Sequence, residues 1–296
     1  QKAVGYLTFT GEDGVEVPEG YLAETTAGEQ YITLQSGVIT SGSVTLSATA
    51  VVPGPDWNTE KNTITNIVNP MSGIEAVTNA SAFEGGRNTE TDAEFRERYY
   101  LSVDFAGGVN IDAIVAEIYE SVEAVIAVAG EENDTDVQSE SGLPPHSIEI
   151  IAYGGLDEDV AGAIFRRKAA GIQTYGNTSV SVVSSAGTTH KIKFSRPTPV
   201  NVWVKITGLK TDSVFPLDGI DRIKQNIVEY IGSNTRGGMA IGQDVICVTL
   251  PTEVLKVPGV VDFDLQISSN GSVFSRENIT IAAREKAVNL LQHWIV

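Results

Sequence analysis

The feature that most constrains this chain is a run of short strand-like segments, each cut off by a turn signal, across its first 70 residues. Val4–Thr10, Gln30–Leu34, Gly37–Thr40 and Ser43–Val52 are rich in Val, Ile, Thr and aromatics, the residues that fit a pleated surface. GEDG (11–14), PEG (18–20), SGS (41–43) and PGP (53–55) separate them with the glycines and prolines that turns require. Within Ser43–Val52 the apolar residues fall at Val44, Leu46, Ala48, Ala50 and Val52, the period of a half-buried strand. Such a segment can bury only one face, so the opening region predicts a β domain.

Helical periodicity begins near residue 90. Thr91 and Glu94 are spaced as a capping box, with Glu94 and Arg98 one turn apart as an ion pair. A second helix is predicted from Asn110, its apolar stripe being Ile111, Ile114, Val115, Ile118 and Val122, followed by a strand at Ala124–Ala129. An acidic loop, EENDTDVQSESG (131–142), leads to a strand at Ser147–Tyr153. A third helix carries Asp157, Glu158 and Asp159 in its first turn and Arg166, Arg167 and Lys168 in its last, with Gly171 as its stop. Strands are predicted at Ser179–Ser184, His190–Phe194 and Val200–Thr207. A helix with Ile220, Ile223, Ile227 and Tyr230 on one face follows, then a helical or mixed stretch at 243–256, a strand at Val260–Ile267 and an apolar C-terminal segment. Strands first and mixed elements afterwards predict a multidomain α+β fold: a β-rich domain at 1–80, an α+β middle domain at 81–195 and a C-terminal α+β domain at 196–296.

A chain of 296 residues buries enough surface to fold without metal or disulfide. Its net charge of −18, from 38 acids and 20 bases, repels phosphate backbones and anionic lipid, which argues against nucleic acid and membrane as partners. No signal peptide is recognisable and no apolar run approaches a membrane-helix length. Gln1 in place of Met points to a fragment or a processed product. The single cysteine, Cys247 in DVICVTL, reads as a small buried hydrophobe.

The search for chemistry yields no catalytic, cofactor or metal residue. Gly85–Gly86 and Gly154–Gly155 precede helices as phosphate loops do, yet neither fits GxGxxG or GxxxxGK[ST], and carboxylates crowd the helix starts behind them. They read as turn glycines. Asp134, Asp136 and Gln138 alternate like calcium donors, but the sixth and twelfth loop positions are Ser139 and Pro145 rather than Gly and Glu. His146, His190 and His293 have no ligand spacing, and neither GxSxG nor HExxH occurs. Trp57, Trp203 and Trp294 are scattered and read as packing residues.

One stretch carries a family resemblance. TNASAFEGGRNTETDAEFRERY (78–99) resembles a signature of the baseplate protein J family of contractile phage tails: Val77–Asn79, then Gly85–Gly86, then the acidic Glu90–Glu94 and Arg96/Arg98. In the same order, residues 3–33 resemble its β segment with a P-x-G turn at Pro18–Gly20. GLPPHSIEIIAYGG (142–155) resembles its central strand, AAGIQTYGNTSV (169–180) its A-G-I-x-T-x-G element, IKFSRPTPVNVWVKI (192–206) its F-x-R-P strand, and KVPGVVDFDLQI (256–267) its V-x-G-V strand. The family usually begins with a helical region ahead of the β segment, and that region is not seen here.

The resemblance implies a structural, non-enzymatic subunit of the baseplate wedge in a contractile tail or a phage-derived tailocin. Two copies would join within a wedge, with other wedge and hub proteins as further partners. Assembly would take place in the bacterial cytoplasm, leaving the protein in the virion. The resemblance implies no cofactor. Two other readings stand beside it. One is a receptor- or glycan-binding β module, suggested by the β-rich start. The other is a hydrolase whose site is assembled only in space.

Overall fold

The computed structural model describes residues 1–88, 109–290 and 294–295. The capping box at Thr91 and Glu94, the Glu94–Arg98 pair and His293 lie outside the described residues. In chain order the first strands are β1 (Val4–Gly11), β2 (Glu16–Val17), β3 (Leu22–Thr25), β4 (Gln30–Thr33), β5 (Gly37–Val38), β6 (Ser43–Ala50), β7 (Ile64–Ile67) and β8 (Ile74–Thr78). Then come α1 (Ile111–Ser121), β9 (Val125–Asn133), β10 (Ser147–Gly154), α2 (Asp157–Arg167), β11 (Gln173–Tyr175), β12 (Thr178–Val183) and β13 (Thr189–Phe194). The last third holds β14 (Thr198–Asn201), β15 (Trp203–Thr211), α3 (Gly219–Ile231), α4 (Leu250–Leu255), β16 (Val260–Ser268), β17 (Glu285–Val288) and β18 (Trp294–Ile295). The α+β class follows directly.

The chain forms two compact units. The first comprises Gln1–Ile126, Gly154–Ile172 and Thr178–Lys193; the second comprises Ala127–Tyr153, Gln173–Asn177 and Phe194–Val296. Residues 81–195 contribute to both.

In the first unit six strands run in the order β7-β3-β4-β6-β1-β8, and the edge strands β7 and β8 approach each other to leave a nearly closed barrel. β1–β6, β1–β8, β3–β4, β3–β7 and β4–β6 all pair antiparallel. Leu7, Phe9, Ala23, Tyr31, Leu46, Ala48 and Phe83 fill its interior. Tyr31 and Phe83 meet edge-on with ring centroids 4.6 Å apart, and the Tyr31 hydroxyl donates to the Trp57 carbonyl at 2.8 Å. Each fully buried side chain of this size contributes about 1.5–3 kcal/mol.

The predicted alternation in Ser43–Val52 holds only in part. From Leu46 to Ala50 both faces of β6 are buried, and Val52 lies exposed beyond the strand. The outer row of β1, Val4 and Tyr6, neighbours Thr49 and Ser47 of β6 and packs against Ala124 and Leu156, so a second layer covers that side. In that layer α1 packs on α2, and the β12–β13 hairpin on α2. The Asn110 side chain caps α1 by accepting from Ala113 N at 2.9 Å. Glu117 of α1 accepts from Arg166 Nε at 2.7 Å and Arg167 Nε at 2.8 Å. Burial works against that carboxylate, but the two guanidinium hydrogen bonds hold its pKa below the usual value.

In the second unit β11-β10-β9 form one sheet, with β10 and β11 parallel. Another sheet runs β16-β15-β18, and β14 pairs β17 in parallel. Ile223, Ile227 and Ile231 of α3 and Leu250 and Val254 of α4 pack on Val204, Ile206, Leu265 and Ile267. Two expectations change here. Val200–Thr207 is not one strand, because Val202 turns away between β14 and β15: its N–H donates to Val288 O, and its carbonyl accepts from Asn289 Nδ2. Ile220 is 41% exposed, and Ile231, one turn beyond Ile227, completes the buried stripe instead. The acidic stretch begins inside β9, which runs through Glu131 and Glu132 to Asn133.

Candidate functional site: a buried carboxylate node and a glycine-lined seat

Three of the motif-bearing stretches converge in the second unit on one carboxylate. Glu149 stands on β10, where only 1% of its surface is exposed. Arg284, just before β17, reaches it with Nε at 2.9 and 3.0 Å from the two carboxylate oxygens and Nη2 at 2.6 Å from Oε2. The same guanidinium donates through Nη1 to Ser141 O at 2.9 Å and lies 5.9 Å from the centroid of the Tyr175 ring. The hydrogen bonds it donates to Glu149 hold the pKa of Arg284 above its ordinary value. Ser195 donates its hydroxyl to Glu149 Oε1 and accepts from Asn177 N at 3.3 Å. Ser195 also pairs its backbone with β10, donating to Ile150 O and accepting from Ala152 N. Arg196 then donates to Ala152 O and rests over the Phe194 ring.

This node is a tie. Its serine donates a hydrogen bond to a carboxylate that a guanidinium already pairs. Among the described residues, neither His146 nor His190 hydrogen-bonds a serine or threonine hydroxyl: His146 Nε2 lies 2.9 Å from Asp136 Oδ1, and His190 packs on Phe165. The node joins residues as far apart in sequence as 149, 177, 195 and 284. Sequence inspection missed it because SIEII reads as an apolar strand interrupted by one acid.

The glycine pairs have a different task. Both lie, in the first unit, against the turn between α1 and β9, where Ala124 adopts a left-handed φ of 61°. Gly85 itself has φ 80°, and a Cβ there would stand 2.2 Å from the Ala124 Cβ. At Gly154 it would meet the Ala124 carbonyl oxygen at 2.4 Å. The amides are spent inside the protein: Gly86 N donates to Asn58 Oδ1 at 2.9 Å, and Gly155 N to Ala124 O at 3.1 Å. These glycines let three backbones touch. Tyr6 completes the seat, its hydroxyl accepting from Asp157 N at 3.0 Å and donating to Glu158 Oε2 at 3.1 Å. A barrel tyrosine thus caps α2, whose Leu156 N-cap supplies no side-chain bond. Burial raises the Tyr6 phenol above its ordinary value.

Asn79, fully buried at the end of the Val77–Asn79 motif, spends its whole side chain on backbone. Its amide donates to Glu60 O and Ser81 O, and its oxygen accepts from Thr63 N and Ile64 N. Asn133 likewise holds the acidic loop, donating to Val137, Leu143 and Pro144 carbonyls. Gln138 donates to Gly142 O, and Asp136 pairs with His146. No set of three or more His, Cys, Asp or Glu side chains suited to a metal occurs among the described residues. Cys247 is 4% exposed in the core, where burial raises its thiol pKa.

Lys286 is fully buried and forms no ion pair among the described residues. Its ammonium donates to Ile231 O at 3.1 Å and Ala287 O at 2.8 Å, capping the C-terminus of α3. Burial pushes its pKa down to about 8. An open cleft of about 440 Å³ in the second unit is lined by Ser268, Ser275, Glu277, Asn278 and Glu285, among others. Its groups are committed locally: Asn278 accepts from Cys247 N, Glu285 from Ala282 N, and Ser268 donates to Asn270. No helix among the described residues is long and apolar enough to cross a membrane.

The first unit is thus a small antiparallel barrel packed with helices, and the second an α+β unit with polar ties. Residues 6–86 match the family model described as the Baseplate J-like protein barrel domain. No curated protein matches the chain in sequence. Among solved structures it is similar to a chain in a cryo-EM structure of the anti-feeding prophage baseplate, sixfold symmetrised. The identity is 12% and the TM-score 0.37, over 98% of this chain and 76% of that one.

Proposed function

We propose that this protein is a structural, non-enzymatic subunit of a baseplate wedge in a contractile phage tail or a phage-derived particle. In this reading it assembles with copies of itself and with other wedge and hub proteins into the ring around the hub. The observation that carries the reading is the match of residues 6–86 to the Baseplate J-like barrel domain. The geometry is compatible with it: Asn79, Asn133 and Tyr6 hold backbone, and Glu149 ties the Arg284 and Ser195 side chains together. A protein that bears load between neighbours needs such ties. In the same reading the protein is made in the bacterial cytoplasm and ends in the virion. The test is sedimentation of tail particles from the source bacterium after induction. The chain should travel with sheath and tube proteins at constant ratio, and its confinement to the soluble fraction of a lysate rich in particles would refute the assignment.

A further inference from the structure

The outer surface of the barrel is apolar in two adjoining zones, and only one of them is covered. Over β1 and β6, Val4 and Tyr6 lie beneath Ala124 and Leu156. One strand further, the outward residues are Gln30, Ile32 and Leu34 on β4 and its continuation. They stand beside Leu22 and Glu24 of β3 through the pairs Leu22↔Ile32 and Glu24↔Gln30. Val68, whose N–H donates to Leu22 O, and Val51, whose N–H donates to Gln30 O, extend the same face. Leu34 is 42% and Val51 37% exposed. The inward partners Ala23, Thr25, Tyr31 and Thr33 are all buried, so this is the outer side of a well-formed sheet.

Charge says what fits there. Residues 6–86 hold ten carboxylates against one base, Lys61, a net of −9, whereas residues 196–296 hold ten of each and are neutral. The barrel carboxylates from Glu12 to Glu75 form no ion pair among the described residues, and Glu24 stands on the apolar face itself, opposite Gln30. A second copy of the barrel would bring like charges together at this face.

We propose that the outer β3–β4 face, centred on Leu22, Ile32 and Leu34, docks a different protein subunit whose surface is apolar at its centre and basic at its rim. The face is continuous with one the molecule already covers. The barrel's negative charge and Glu24 give a lysine- or arginine-bearing partner both faster encounter and the correct register. This inference rests on the baseplate reading.

Purified particles test it by hydroxyl-radical footprinting and by carbodiimide coupling of carboxylates to amines, each compared with the free chain. Leu34 and Ile32 should lose about tenfold in reactivity on assembly, as buried interface centres do, and Glu24 should couple to lysines of another protein. The Ile32→Asp/Leu34→Asp variant, with an unchanged melting temperature, should enter particles about tenfold less well than wild type in co-expression, the equivalent of about 1.4 kcal/mol. Val273→Asp, at an exposed site of the second unit, serves as the control. Equal reactivity of Leu34 in particle and free chain would overturn the proposal. So would protection already present in the free chain, which would mean cover from its own residues, or coupling only to a second copy. Absence of the chain from particles would refute the baseplate reading itself and take this inference with it.

Discussion

In the barrel the carboxylates from Glu12 to Glu75 form no ion pair among the described residues, and the interior is held by Tyr31, Phe83, Phe9 and their aliphatic neighbours. In the second unit Asp218, Glu229, Glu253, Asp262 and Asp264 each meet an arginine or lysine. Two charged side chains, Glu149 and Lys286, are carried right into the interior. The barrel resists unfolding through apolar packing and bears its own electrostatic repulsion. The second unit depends on a few polar ties, each costly to break singly because its partner is left buried. Hydrogen exchange read separately over each unit distinguishes the two regimes.

Arg284→Met strikes the comparison hardest. It leaves Glu149 buried and unpaired, and the second unit should lose about 3–5 kcal/mol in urea denaturation, with exchange in the barrel unchanged. Adding Glu149→Leu should recover much of that loss, because no charge then remains to be satisfied; no recovery would show that the tie supplies net stability. Gly85→Ala asks whether the first unit is as fragile sterically as the second is ionically. A Cβ 2.2 Å from that of Ala124, at φ 80°, should cost about 2–3 kcal/mol, and high salt should not repair it.

Lys286→Met should stabilise the second unit at neutral pH by about 1–3 kcal/mol, since it removes a buried charge while losing two hydrogen bonds. The pH dependence carries the sign. With its folded pKa depressed to about 8, Lys286 binds fewer protons folded than unfolded between that value and the ordinary lysine value. Stability of the second unit should therefore rise with pH across that window and stay flat in the variant. The barrel should go the other way. Burial raises the phenols of Tyr6, Tyr21 and Tyr31, so their contribution is intact below the ordinary tyrosine value and is lost as pH climbs above it. The smallest effect is that of salt. Raising ionic strength from 0.01 to 0.15 M, values at which the screening length falls from about 30 to 8 Å, should stabilise the barrel by about 1 kcal/mol or less and leave the second unit nearly unmoved. Equal responses would dissolve the contrast.

Much of the secondary structure was legible before any coordinates. α2 announced itself through Asp157–Asp159 and Arg166–Arg167 because helix ends carry partial charges that sequence can complement locally. The helix start near Asn110 and the strand at Ser147 were legible for the same reason: the signal lies within a few residues of the effect. The glycine pairs read as turn glycines, and the sequence did not say what they touch. Their neighbour Ala124 is 39 residues from Gly85 and 30 from Gly154, and no local rule reports that distance.

The α+β class, the β-rich beginning, the lack of familiar catalytic spacing and the excess of acid are properties of composition or of contacts one turn apart, and a reader of the residues alone recovers them. Long-range closure is what buries both faces of β6 from Leu46 to Ala50, breaks a strand at Val202, brings Tyr6 to cap a helix 151 residues away and joins Glu149 to Ser195 and Arg284. Those outcomes depend on which distant segments close over one another, and in this chain burial is what turns an ordinary glutamate into the centre of a tie.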